Sequence, residues 1–182
     1  MTHADAQPGT SRRFDSLIGP IDALTRAANL VAGLALLVIF VLISAEIFAR
    51  NVLGHSLPYS WDFSAYAMGT AFMMGAGDAL RRGAHVRVTA VLEAVPRPAA
   101  RALEWAACLV GIAACGVLAW ALIDMAWLSF DRGSTSSTVV RTPLWMPQGL
   151  AATGAALLTL QCVGQALRLA RGETLAVAEA ID

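Results

Sequence analysis

The sequence has no lysine, and all thirteen of its basic residues are arginine. Charge of either sign is scarce, at 14% of residues against about 25% in a typical soluble domain. Thirteen acids balance the arginines, so the net charge says nothing about a nucleic acid, and no nucleic-acid partner is expected. Cysteine and histidine number three each. Cys108, Cys115 and Cys162 stand inside apolar stretches without paired spacing, which argues against a disulfide framework or a metal site and leaves them as small packing residues. Histidine pairs inside the apolar runs are missing as well, which disfavours a haem-carrying four-helix cytochrome. No charge stands near the middle of any long apolar run, so the residues of a proton relay are missing too. From these absences no catalytic residue, cofactor or metal is expected.

What the chain has in excess is apolar length, 57% of its residues being apolar. A spanning helix needs about 20 predominantly apolar residues, because each adds roughly 1.5 Å toward a hydrocarbon core of about 30 Å. Four stretches qualify, and the expected fold is an all-α integral membrane protein with spans at about 26–48, 59–80, 102–127 and 145–167. Residues 1–20, with Pro8, Gly9 and Pro20, read as a polar N-terminal tail, residues 21–170 as a single four-helix transmembrane domain, and 171–182 as a cytoplasmic tail. The first apolar run is longer than the roughly 7–15 residues of a signal peptide, and Ile47-Phe48-Ala49-Arg50 is no small-residue cleavage site, so it reads as a retained anchor.

Ten of the thirteen arginines fall before the first span, between the second and third, or after the fourth. The positive-inside rule makes that side cytoplasmic, with both termini inside. The richest segment, 78–101, holds five arginines and is a topology determinant. Within it Val88, Val91, Leu92 and Val95 recur at the spacing of one helical face, while Arg87, Thr89 and Glu93 face away. This pattern suits a short cytoplasmic interfacial helix between the second and third spans, ended by Pro96, with Pro98 setting the first turn of the third. A solvated loop with a chance apolar spacing is the alternative. His85 has no second histidine or cysteine at ligand spacing and reads as a capping or headgroup-facing hydrogen-bonding group.

The acids gather at the span edges. Asp78 lies within a turn of Arg81 and Arg82, and Glu104 is three residues from Arg101, so both can pair locally. At the opposite edge Glu46 and Arg50 are four apart on one helix face, Asp62 opens the second span, and Asp124 precedes the end of the third. These four are expected to meet in one charged cluster, in which Arg50 is outnumbered by acids and one carboxylate is either hydrated or met by a partner's cation. The second span also carries small residues at four-residue intervals, Ala67, Ala71 and Gly75 on one stripe and Ala65, Gly69 and Gly77 on another broken by Met73. Such stripes let helix backbones approach closely in lipid. Tyr59, Trp61, Trp105, Trp127 and Trp145 fall where aromatic belts meet membrane lipid headgroups.

Arg50 closing the first span, an aromatic-x-x-acid opening to the second, the run Ala79-Leu80-Arg81-Arg82-Gly83-Ala84-His85-Val86-Arg87-Val88, and Pro143-Leu144-Trp145 leading to Gly154 and Gln161 together carry a resemblance. Over about residues 25–168 the chain resembles the small four-helix membrane subunit, DctQ-type, of tripartite ATP-independent periplasmic (TRAP) transporters. It departs from the family pattern in having Tyr59 and Asp62 where Trp and Glu are usual, and Ala152 for a proline. The resemblance implies a non-catalytic scaffold subunit of the bacterial inner membrane. It would stabilise a large many-helix membrane subunit that carries the sodium and substrate sites, while a periplasmic substrate-binding protein delivers an organic anion. Residues expected to make structural or partner contacts are Glu46, Arg50, Tyr59, Asp62, Arg82, Gly83, His85 and Trp145. The competing reading is a self-sufficient homo-oligomeric four-helix channel or transporter, with the basic segment gating anions.

Overall fold

The computed structural model of the chain describes residues 8–82, 96–138 and 140–170. Four helices make up the described fold: α1 (Pro8–Phe48), α2 (Tyr59–Arg81), α3 (Arg97–Asp131) and α4 (Trp145–Ala170). The segment 83–95, and with it the expected interfacial helix, Gly83 and His85, lies outside the described residues, as does the tail 171–182.

Helix α1 starts at Pro8, inside the stretch read as a polar tail, and runs through Pro20 without a break in assignment. Ile18, Ile21, Thr25 and Ala28, at helical spacing, are all buried, so one packed face continues below the hydrocarbon span and carries the helix with it. At its other end α1 widens into a π-helical turn, Ala49–Leu53, and stops at Gly54. Gly54 takes φ +71° and returns its N–H to the Ala49 carbonyl, a left-handed closure that glycine adopts without a Cβ penalty. Helix α3 follows Pro96, which is extended at φ −57°, ψ 146°, and has Pro98 in its first turn, where the missing N–H costs nothing. Between α3 and α4 the chain folds back on itself through Ser136 N–H to Thr142 O (2.8 Å) and Leu144 N–H to Ser134 O (3.0 Å).

Helix α1 packs on α2, α2 on α4, and α4 on α3, with a lighter contact between α1 and α4. Among the described elements α3 touches only α4. Helices α2 and α4 are therefore central, and glycine makes this possible. A Cβ built on Gly154 of α4 would lie 2.6 Å from the Met73 carbonyl carbon of α2, and one on Gly77 would lie 2.6 Å from Thr25 Cγ2 of α1. The apolar core at this junction is Ala28, Ala32 and Met74, with Leu157 against it.

Among the described residues three segments are long and apolar enough to cross a membrane: Ile18–Leu53, Pro98–Asp131 and Trp145–Ala170. The fourth expected span, α2, has the length at 23 residues.

Candidate functional site

Polar side chains concentrate at the two ends of the α1–α2–α4 group. At one end Glu46 of α1 is buried, with 3% of its surface exposed. Its Oε1 accepts from Arg50 (2.7 Å) and from the Ser56 hydroxyl (2.6 Å), while Oε2 accepts from the Leu57 backbone N–H (2.6 Å) and lies 3.4 Å from the Ser60 hydroxyl, which has a nearer acceptor in the Leu57 carbonyl at 2.8 Å. Glu46 thus binds its own helix, the connecting turn and the first turn of α2 together. Charge-assisted bonds of this kind are stronger than neutral ones, and the backbone N–H of Leu57 finds in Glu46 the acceptor that the turn does not provide.

At the other end Asp22 of α1 pairs with Arg168 of α4. Its second oxygen accepts from Gln161 Nε2 at 3.4 Å. Gln161 is fully buried. The Thr25 hydroxyl lies 2.6 Å from the Ile21 carbonyl oxygen and 3.1 Å from Gln161 Oε1, sharing its one proton between them. Gln165 adds α2 to the group by donating to the Leu80 carbonyl at 3.3 Å. On α2 the buried Asp78 holds Arg81 and Arg82, each at 2.7 Å. The local pairing expected of Asp78 is present.

The expected four-residue charged cluster does not form. Glu46 and Arg50 meet, but Asp62 and Asp124 make no ion pair among the described residues. Asp124 is on α3, which does not approach α1 or α2. Spacing along the chain gave all four a similar depth and said nothing about their positions around the bundle. Tyr59 and Trp61 are exposed at the start of α2. Trp145 opens α4 with its ring edge-on to Phe130 of α3, centroids 5.7 Å apart.

The stripe on α2 divides in two. Gly77 and Ala71 are buried and Gly75 faces Ala32, whereas a Cβ on Gly69 would meet nothing within 4 Å. Sequence reasoning missed the Asp22–Arg168 pair. Asp22 has a nearer candidate in Arg26 at i+4, and Arg26 instead donates to the Asp22 backbone carbonyl. The cysteines also come closer than their spacing suggests, with Cys115 and Cys162 Sγ atoms 3.8 Å apart across α3 and α4. Among the described residues no group of His, Cys, Asp or Glu is placed to hold a metal ion.

This arrangement binds Glu46, Asp22 and Asp78 into structure at the two ends of the helix group and leaves large apolar side chains of α1 and α3 exposed. Residues 23–172 match the family described as tripartite ATP-independent periplasmic transporters, DctQ component. Neither a curated protein nor a solved structure matches the chain.

Proposed function

Because the chain belongs to the DctQ component family of tripartite ATP-independent periplasmic transporters, we propose that it is the small scaffold subunit of such a transporter in the bacterial inner membrane. In this reading it performs no chemistry on the solute. It braces the large membrane subunit, which moves an organic anion delivered by a periplasmic binding protein.

The observation that carries this reading is the contrast between bound ends and bare faces. Glu46, Asp22 and Asp78 are each paired with arginine within the chain, so they serve to hold the subunit together. Exposed Leu30, Leu34, Leu37 and Val41 on α1, and Leu109, Val117 and Trp120 on α3, suit lipid and protein neighbours.

Helix α2 serves as the fourth span. It is tied to α1 at Ser60 through Glu46, and to α4 at Leu80 near the Asp22 end. The helix rises about 30 Å between those two residues, the thickness of the hydrocarbon core. Four crossings put both termini on one side, and the arginine count makes that side cytoplasmic.

Two measurements test the proposal. Cysteines placed at Gly83 and at the exposed Ser137 should react with an impermeant reagent from opposite sides of the membrane, and reaction of both from the periplasm would overturn the topology. The tagged chain should recover the large subunit from membranes and show no solute flux when reconstituted alone. Flux by the isolated chain would replace the scaffold with a channel.

A further inference from the structure

Asp124 is one of two carboxylates of the expected outer cluster, with Asp62, that make no ion pair among the described residues. Asp124 lines a groove of about 520 Å3 between α3 and α4, whose other walls include Gly116, Ala119, Trp120, Trp127 and Ala156. It is exposed and has no ion pair among the described residues. The preceding 19 residues of α3, Trp105 to Ile123, carry no charge.

We propose that this groove receives a transmembrane helix of the large subunit, and that this helix brings a cationic side chain to Asp124. The proposal rests on the scaffold reading above and says which face of the chain does the docking.

Three observations favour a helix over lipid. First, an ionisable side chain on a spanning helix faces protein, another charge or water in preference to acyl chains. With α3 centred in the bilayer, Asp124 lies about 15 Å from the midplane, at the edge of the hydrocarbon. Second, Trp120 is 75% exposed and only about 9 Å from the midplane, below the headgroup belt where an indole N–H finds acceptors. Trp127, 69% exposed, is at headgroup level and suits the belt. A lipid amine could meet Asp124, but the acyl chains below it offer nothing to the Trp120 N–H, whereas a helix can supply a cation and an acceptor one turn apart. Third, Gly116, Ala119 and Ala156 are small and let a helix backbone come close. The outer face of α1 is the control within the same chain, since Leu30, Leu34, Leu37 and Val41 are exposed there and present no polar side chain.

The test is co-purification of the large subunit, expressed together with the tagged chain, from mild detergent, with binding titrated in nanodiscs. Asp124→Asn should weaken binding at least tenfold, and Asp124→Glu should keep it within about threefold of the parent. Ala156→Phe, which fills the groove from an exposed position on α4, should act as strongly as Asp124→Asn. The thermal midpoint of the isolated subunit reports whether each variant folds. Should Ala156→Phe fail to fold, the Asn and Glu pair still decides. If the parent does not recover the large subunit, the scaffold reading fails and takes the groove with it. If the parent recovers it and both groove variants bind within twofold, the docking face is elsewhere and the scaffold reading stands. Loss of bound phosphatidylethanolamine on Asp124→Asn with the large subunit retained, or a disulfide between two copies through Trp127→Cys, would overturn the proposal in favour of lipid or of a second copy.

Discussion

Helices α1, α2 and α4 and helix α3 belong to one chain, yet they are held in different ways. Buried polar groups tie α1 to α2 at the Glu46 end and all three helices at the Asp22 end, and between these glycine lets α2 and α4 touch backbone to backbone. Helix α3 has one neighbour among the described elements and meets it through ordinary contacts, Gly111 toward Cys162 and Gly116 toward Thr159, each at 3.9 Å. In lipid there is no hydrophobic drive between helices, so closeness and hydrogen bonds decide what stays together. The trio is therefore held by buried polar bonds and backbone contact together, whereas α3 rests on α4.

The largest test of this contrast is Gly154→Ala. The added methyl would sit 2.6–2.8 Å from the backbone of Met73 and Met74, and helix backbone cannot rotate away as a side chain can. Overpacking of this kind costs about 2–3 kcal/mol, so the thermal midpoint in detergent should fall sharply. An unchanged midpoint would mean that α2 and α4 are not in backbone contact.

Next comes Glu46→Ala. It removes the acceptor for Ser56, for the Leu57 N–H and for Arg50, a loss of about 1–3 kcal/mol for groups left without partners. Gln161→Leu should cost less, about 0.5–1.5 kcal/mol, because Thr25 keeps its bond to Ile21 O and Asp22 keeps Arg168. Unfolding in detergent ranks the two, and a Gln161 effect above that of Glu46 would move the weight of the trio to its other end.

These sites also show where sequence reasoning stops. The uncharged runs located four helices, and the start of α2 at residue 59 agrees with the structure. They understated α1 and α3, which reach Pro8 and span Arg97–Asp131, because a search for charge-free length sees only the hydrocarbon part of a helix. The Glu46–Arg50 and Asp78–Arg82 pairs were legible because each joins residues one turn apart. Asp22–Arg168 and Cys115–Cys162 depend on which helices are neighbours, and no local spacing records that. The supposed cluster of four charges failed for the same reason: the order α1, α2, α4, α3 across the bundle sets Asp124 apart from Glu46.

Arg50→Ala should be milder than Glu46→Ala. Arg50 is 56% exposed on its side chain, and after its loss Glu46 keeps Ser56 and the Leu57 N–H. An exposed pair of this type is worth about 0–1 kcal/mol. Equal losses for the two variants would mean that the guanidinium, and not the turn, organises this end.

The smallest effect should come from repeating the Gly154 substitution on the other side of the comparison. In Gly111→Ala the new Cβ meets Cys162 Sγ at 3.9 Å, which is ordinary van der Waals contact. Alanine is also preferred to glycine inside a helix by about 0.8–1.0 kcal/mol in water, chiefly because the unfolded chain has less freedom to lose. With no clash to offset that gain, the isolated subunit should be unchanged or slightly stabilised. One chemical change would then have opposite signs at two glycines of one chain. If Gly111→Ala destabilises as much as Gly154→Ala does, α3 is as closely packed as the trio, and the contrast between the two fails.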